Sequence, residues 1–160
     1  MRAEQPRRGA DVWAEFEPIF RDQVVVDQEL SGMGNALALL VPMPEPWTAV
    51  DVGAGTGVST IALARACAGS SVVAVEPEKP LREALASRLA QDGSVGPRVT
   101  IAASLVDVAI TQPVGCVFAR NVLHLLSAFD REALLREILK LDIRGPIVLS
   151  VDERKYKGAE

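Results

Sequence analysis

Three glycines at alternate positions follow a short apolar run and one acid in the stretch Ala49–Val58. The acid is Asp51, and the glycines are Gly53, Gly55 and Gly57. Glycine adopts backbone conformations that other residues rarely adopt, and it leaves no Cβ in the way of a ligand. A helical pattern begins after Gly57, so the N–H groups at its start are available to an electron-rich ligand group. The pattern predicts a buried strand, a tight turn and a helix start.

The spacing of these glycines differs from two other nucleotide-binding turns. A dinucleotide-binding turn has the pattern G-x-G-x-x-G, whereas Val58 stands here where its third glycine would fall. A phosphate-binding loop needs Gly-Lys-Ser/Thr, which does not follow. A nicotinamide-dependent oxidoreductase is therefore disfavoured. A plain strand-to-helix turn that needs glycines only for its geometry stays open.

A second carboxylate, Glu76, ends the next apolar strand pattern. It follows the glycines by about 20 residues, the spacing at which a nucleotide-binding α/β fold places an acid on a ribose. A carboxylate there can accept hydrogen bonds from two adjacent hydroxyls, and it would repel a phosphate on the same sugar. The alternative is a strand-end acid that faces water.

Composition and charge narrow the classes of function. The chain has 160 residues, the size of one domain, and 49% of them are hydrophobic. A net charge of −4 argues against binding to a nucleic-acid backbone, so we expect a small-molecule substrate. No apolar stretch is long enough to span a membrane, and residues 1–8 lack the apolar core of a signal peptide. Cys67 and Cys116 have no metal-ligand spacing; we expect buried thiols in a reducing cytoplasm and no metal.

The elements that must position these carboxylates alternate between strands and helices from residue 49 onward. The strands are predicted at 49–53, 71–76, 98–102, 114–119 and 147–151, with helices at about 57–68, from Pro77 to Gly93, and at 128–141. Alternation of this kind implies a parallel sheet with helices on both faces. Right-handed crossovers then favour the strand order 3-2-1-4-5, with a ligand at the carboxyl ends beside strand 1.

The last predicted helix has its own signals. Ser127 is the predicted N-cap, and Glu132 and Arg136 are predicted to pair on the solvent side. Its buried side is predicted to consist of Leu134, Leu135, Ile138 and Leu139. Further towards the amino terminus, residues 1–10 are predicted to be a flexible tail and residues 11–46 a helical arm. Residues 47–152 complete a single domain, 11–152, and residues 153–160 form a charged tail.

Asp51 and the three glycines, taken with Glu76 and the segment Ala119–Leu126, resemble class I S-adenosylmethionine-dependent methyltransferases of the small-molecule type. The resemblance covers residues 11–152 and implies a Rossmann-like doubly wound fold, S-adenosylmethionine as cofactor and a small-molecule methyl acceptor. In that family the glycine loop wraps the methionine part of the cofactor, and the acid orders the loop. The resemblance implies cofactor contacts from Asp51, Gly53, Ala54, Gly55, Thr56, Gly57, Glu76, Pro77, Ser104, Leu105, Arg120 and Asn121. It also suggests that the helical arm lies over the cofactor, although the arm would equally cover one edge of the sheet.

His124 is the only histidine and is therefore the candidate general base. Its leucine neighbours argue equally for a structural imidazole. Many relatives carry an acid after the third strand that holds the adenine amino group. Here either Ser104 or Asp107 would replace it, and Cys116 stands where the usual acid of the fourth strand would be.

Family members normally add two antiparallel strands after the fifth, which this chain lacks. We therefore expect the edge of strand 147–151 to be covered by a second subunit or another protein. The alternative function is a non-catalytic subunit that binds S-adenosylmethionine, or only resembles a methyltransferase, and works with a partner protein.

Overall fold

A computed structural model of the chain describes residues 46–150. The predicted amino-terminal tail, the helical arm up to residue 45 and the charged carboxyl-terminal tail lie outside the described residues. Five strands form one parallel sheet in the order β3-β2-β1-β4-β5, which confirms the predicted topology. The strands are β1 Thr48–Val52, β2 Ser71–Val75, β3 Val99–Ala102, β4 Val114–Arg120 and β5 Ile147–Ser150.

Three α-helices connect these strands. They are α1 Val58–Ala66, α2 Lys79–Ala90 and α3 Ala128–Ile138, with short 3-10 turns at Gly96–Arg98, Leu105–Asp107 and Leu123–Leu125. Each helix ends a few residues before its predicted limit. The chain leaves the helical conformation at Cys67 (φ −100°, ψ 54°), and Gly69 follows with a φ of +92°. Cys67 is therefore the C-cap of α1 and not part of its interior.

Two apolar clusters lie on opposite faces of the sheet, as a doubly wound fold requires. On one face Leu63 of α1 and Leu85 of α2 pack with Phe118 of β4. On the other face Ile138 of α3 packs with Val50 and other strand residues. Both faces of β1 are covered, and all five of its residues are buried. A ligand can therefore approach β1 only beyond its carboxyl end.

Helix α3 buries one row of apolar residues and not two. Ile138 is buried and Leu134 is half-buried, both against the sheet. Leu135 and Leu139 were predicted to be buried, which is wrong, because they are 37% and 72% exposed. Positions 134 and 138 form one row of the helix and positions 135 and 139 the adjacent row, so only one row can face the sheet squarely.

The predicted polar features of α3 are confirmed. The Asp130 N–H donates to Ser127 Oγ at 3.1 Å, so Ser127 caps the helix. Arg136 donates to Glu132 Oε1 at 2.6 Å on the exposed side. The sequence signals at the start and on the solvent side of α3 therefore predict its structure correctly.

Candidate functional site

The parallel strands bring the predicted site residues to one edge of the sheet. Val52, the last residue of β1, is paired with Val75 of β2 and with Ala119 of β4. Val75 is in turn paired with Ala102 at the end of β3. The four segments that follow these strands (residues 53–57, 76–78, 103–107 and 121–124) therefore start at the same edge. All twelve predicted cofactor contacts and His124 fall on these segments or on the adjoining strand ends.

Two of the three glycines are required by the chain's own packing. Gly53 has a φ of +72° and Gly57 a φ of +93°, in the region that residues with a side chain rarely adopt. A Cβ at Gly53 would lie 2.6 Å from a methyl of Val122, and one at Gly57 would overlap Leu85. These glycines therefore let α2 and the segment after β4 approach the loop closely.

Gly55, at the apex of the loop, is different. Its φ is +56°, but a Cβ there would meet no atom within 4 Å. Its N–H donates to Glu76 Oε2 at 2.9 Å. The loop is also fixed from below, because the N–H groups of Gly53 and Ala54 donate to Val75 O at 2.8 and 3.0 Å. A rigid loop with open space at its apex fits a ligand that passes along its backbone.

Glu76 links the loop to the next turn of the chain. While Oε2 accepts from Gly55, Oε1 accepts from the Glu78 N–H at 2.9 Å. The residue is only 5% exposed, so the alternative of a strand-end acid that faces water is wrong. Burial raises the pKa of Glu76, and the two N–H donors oppose that rise. A carboxylate oxygen can accept more than one hydrogen bond, and each Glu76 oxygen accepts one here, so both can still accept from a ligand's hydroxyls.

Asp51 lies beneath the loop and is fully buried. Its Oδ2 accepts from Ser59 Oγ at 2.8 Å and from Thr60 Oγ1 at 2.7 Å, which ties the first turn of α1 to β1. No hydrogen bond reaches its Oδ1, nor the buried hydroxyl of Thr56, within residues 46–150. Burial raises the pKa of Asp51 to about 6. A buried carboxylate with a vacant oxygen next to a glycine loop is costly, and it fits a site that receives a polar ligand group.

The two candidates for the acid after β3 form a pair. Ser104 Oγ donates to Asp107 Oδ2 at 3.0 Å across the 3-10 turn. Between them Leu105 is buried against the sheet, which fixes the turn at the site edge. The structure therefore joins the two alternatives into one polar unit.

The segment after β4 forms the other side of the candidate site. Arg120 is the last residue of β4, and His124 lies in the following 3-10 turn. Between them Asn121 has a φ of +54°, a conformation that asparagine tolerates and that concentrates at functional sites. Because Val122 lies against Gly53, this segment and the glycine loop are in contact.

Cys67 and Cys116 are both free and buried, as expected. Within residues 46–150 no group of three or more His, Cys, Asp or Glu side chains could hold a metal ion. Among the same residues, no helix combines the length and apolar character that crossing a membrane requires.

The family described as "Methyltransferase domain" matches residues 49–141, more than half of the chain. No curated protein matches the chain in sequence. The glycopeptide N-methyltransferase MtfA, solved with S-adenosylmethionine, is 22% identical with a TM-score of 0.59, over 76% of this chain and 52% of its own.

Two further solved structures are similar. The magnesium protoporphyrin IX methyltransferase ChlM from Synechocystis PCC 6803, with bound S-adenosylmethionine, is 18% identical with a TM-score of 0.56, over 79% of this chain and 57% of its own. The Haemonchus contortus phosphoethanolamine N-methyltransferase 1, with phosphoethanolamine and S-adenosylhomocysteine, is 24% identical with a TM-score of 0.55, over 76% of this chain and 26% of its own. At these identities the likeness shows the fold. The chain spans about half the length of MtfA.

Proposed function

This chain belongs to the methyltransferase domain family, and we propose that it binds S-adenosylmethionine and transfers its methyl group to a small-molecule acceptor. The observation that carries the proposal is the bond from the Gly55 N–H to the buried Glu76 carboxylate at 2.9 Å. It joins a glycine loop with an open apex to the acid best suited to a ribose diol. The structures of MtfA and ChlM were solved with bound S-adenosylmethionine, which supports the choice of cofactor.

Each part of the edge has a proposed task. Glu76 accepts hydrogen bonds from the ribose hydroxyls, and the loop from Gly53 to Gly57 follows the methionine part of the cofactor. Asp51 orders that loop through Ser59 and Thr60. The remaining cofactor contacts are assigned to Pro77, to the Ser104–Asp107 pair with Leu105, and to Arg120 and Asn121.

The cofactor, when bound, supplies an electrophilic methyl group on a sulfonium. The chain's task is orientation and the exclusion of water, and well-oriented reactants can gain roughly 7–11 kcal/mol. For an acceptor that loses a proton, we propose that His124 is the general base. Its place in the turn after β4, beside the loop contact of Val122, supports this role. His124→Gln is expected to abolish the acidic limb of the pH–rate profile, and an unchanged profile would remove His124 from the mechanism.

The acceptor is proposed as a class only. The three solved relatives bear names that refer to a glycopeptide, a magnesium porphyrin and phosphoethanolamine, so the shared fold does not select an acceptor. The net charge of −4 disfavours nucleic acid. We also propose a cytoplasmic location, which the two free buried thiols support.

One observation favours the second candidate, a cofactor-binding subunit that works with a partner. Within the described residues β5 pairs only with β4, and its residues Ile147 and Leu149 are 41% and 47% exposed. An apolar strand at an open edge is a site for association. A second copy or another subunit would cover it. A sedimentation experiment that finds a monomer across micromolar concentrations would contradict association with a second copy.

Two measurements test the proposed function in sequence. Calorimetry with S-adenosylmethionine, S-adenosylhomocysteine and NAD is expected to show binding of the first two only. Binding of NAD alone would overturn the cofactor assignment. Methyl-donor turnover with a panel of small acceptors then separates an enzyme from a cofactor-binding subunit, because only the enzyme produces S-adenosylhomocysteine.

A further inference from the structure

The Arg82 side chain folds back from α2 onto the chain segment that precedes its own helix. Its Nη1 donates to the carbonyl oxygen of Glu76 at 2.8 Å and to that of Pro77 at 2.6 Å. The residue is half-buried, whereas Lys79 and Glu83 of the same helix are exposed. Arg82 is thus bonded to the main chain at the predicted ribose-binding acid, although its own position is on a helix.

This position is an unfavourable one for a cation. Arg82 is the fourth residue of α2, near the positive end of the helix dipole, where acids are preferred. The first turn of α2 contains no acid, and Glu78 at the N-cap makes no side-chain cap bond. Helix stability therefore does not explain an arginine here. The two carbonyl oxygens before the helix, and the nearby Glu76 carboxylate, provide the compensation.

Arg82 completes the fixation of Glu76. The Glu76 N–H donates to Ala102 O at 3.0 Å, and its two carboxylate oxygens accept from Gly55 and Glu78. The carbonyl that Arg82 holds is the remaining polar group of this residue. With all of these bonds in place, the carboxylate has one orientation relative to the glycine loop.

We propose that Arg82 is a positioning residue that fixes the turn after β2, so that Glu76 presents its carboxylate to the two ribose hydroxyls of the cofactor. The inference rests on the proposed function, because it assigns a ribose to Glu76. The positive charge has a second consequence. It lowers the pKa of Glu76 against the opposing effects of burial and of the neighbouring Glu78 charge. Arg82 therefore favours the ionised form of Glu76, which accepts from both hydroxyls.

Calorimetry on three variants tests this role. Arg82→Met is expected to weaken S-adenosylhomocysteine binding about tenfold, the range expected when a charge-assisted bond is lost. Arg82→Lys keeps the cation and is expected to recover most of that affinity. Arg88→Met makes the same change in the last turn of the same helix and is the matched control, with affinity expected within about twofold of the wild type.

The 2′,3′-dideoxy analogue of S-adenosylhomocysteine, which lacks both ribose hydroxyls, separates positioning from general support of the fold. If Arg82 acts through the ribose diol, Arg82→Met binds this analogue within about twofold of the wild type. Equal weakening for both ligands, or full affinity of Arg82→Met for S-adenosylhomocysteine, would overturn the inference. If the wild type itself does not bind S-adenosylhomocysteine, the proposed function fails, and the inference falls with it.

The pH dependence of binding provides a readout that a purely structural role would not move. Arg82 and Glu78 are the ionisable groups that shift the pKa of Glu76, and Glu76 itself raises the pKa of Asp51. Without the Arg82 charge the pKa of Glu76 rises, so affinity in Arg82→Met is expected to decline at a higher pH on acidification than in the wild type. A pH profile parallel to that of the wild type would contradict the electrostatic part of the inference.

Discussion

The β1–β2 half of the sheet and the β4–β5 half differ in what surrounds their strands. Beyond β1 and β2, the loop N–H groups and the Glu76 carboxylate are bonded to one another, and all five residues of β1 are buried. Beside β4 and β5, the outer row of α3 and the residues Ile147 and Leu149 expose apolar side chains. In the first half, contacts among residues 46–150 cover both faces of the central strand. The second half has apolar surface on α3 and β5 that those residues do not cover, so the proposed association concerns that surface, whereas the proposed cofactor site lies at the carboxyl ends of β1 to β4.

The largest expected effect tests whether α3 has one buried row. Ile138→Ala should lower the free energy of unfolding by about 3–4 kcal/mol, because the Ile138 side chain is fully buried and its truncation leaves a cavity. Leu139→Ala, at the next residue, should change it by less than about 0.5 kcal/mol, because that side chain is 72% exposed. Urea unfolding measures both. A comparable loss in Leu139→Ala would mean that the second row is covered in solution.

The glycine loop offers the next comparison. Gly57→Ala should cost about 3 kcal/mol, since it combines a strained φ of +93° with an overlap on Leu85. Gly55→Ala should cost only about 1 kcal/mol, because its Cβ meets open space. For ligand binding we expect the opposite order, with Gly55→Ala as the more harmful substitution. The folded Gly55→Ala variant should bind S-adenosylhomocysteine about tenfold more weakly than the wild type, because the new methyl group occupies the apex of the loop. Full affinity in that variant would show that the ligand does not pass there.

A smaller effect concerns the pH dependence of stability. The pKa of Asp51 in the folded chain is about 6, above its ordinary value of 3.8. The folded chain therefore retains a proton that the unfolded chain has lost, so stability falls as pH rises from about 4 to 6 and is level above that range. The contribution is about 3 kcal/mol at most, and Asp51→Asn should remove it. Asp107→Asn, an exposed change, is the control. Unfolding curves with the same pH slope in wild type and Asp51→Asn would contradict this account.

The parts of the site that are set by local backbone requirements could be predicted from the sequence. The glycine spacing after an apolar run specifies a turn with positive φ angles, and Glu76 ends the next strand, so parallel pairing brings the two together. The strand order follows from the same alternation of strands and helices. The individual cofactor contacts and the role of His124 stay predictions.

Features that depend on packing could not be predicted. Apolar periodicity in α3 identifies two adjacent rows, but which row meets the sheet depends on the neighbouring layer, so Leu135 and Leu139 were assigned wrongly. Ser59 and Thr60 were missed because a hydroxyl in a helix has many possible partners. Their positions eight and nine residues after Asp51 were the available signal. Arg82 has the sequence appearance of a solvent-facing helix residue, and only the structure places its guanidinium on the Glu76 carbonyl.

The central claim is that Glu76 binds the ribose of an adenosyl cofactor held against the glycine loop. Calorimetric titration of S-adenosylhomocysteine into wild type, Glu76→Ala and the surface control Glu83→Ala tests it most directly. The account predicts that Glu83→Ala binds like the wild type, and that Glu76→Ala is weaker by about 100-fold, the loss expected for two bonds to a charged acceptor. Equal affinity of Glu76→Ala and wild type would contradict it.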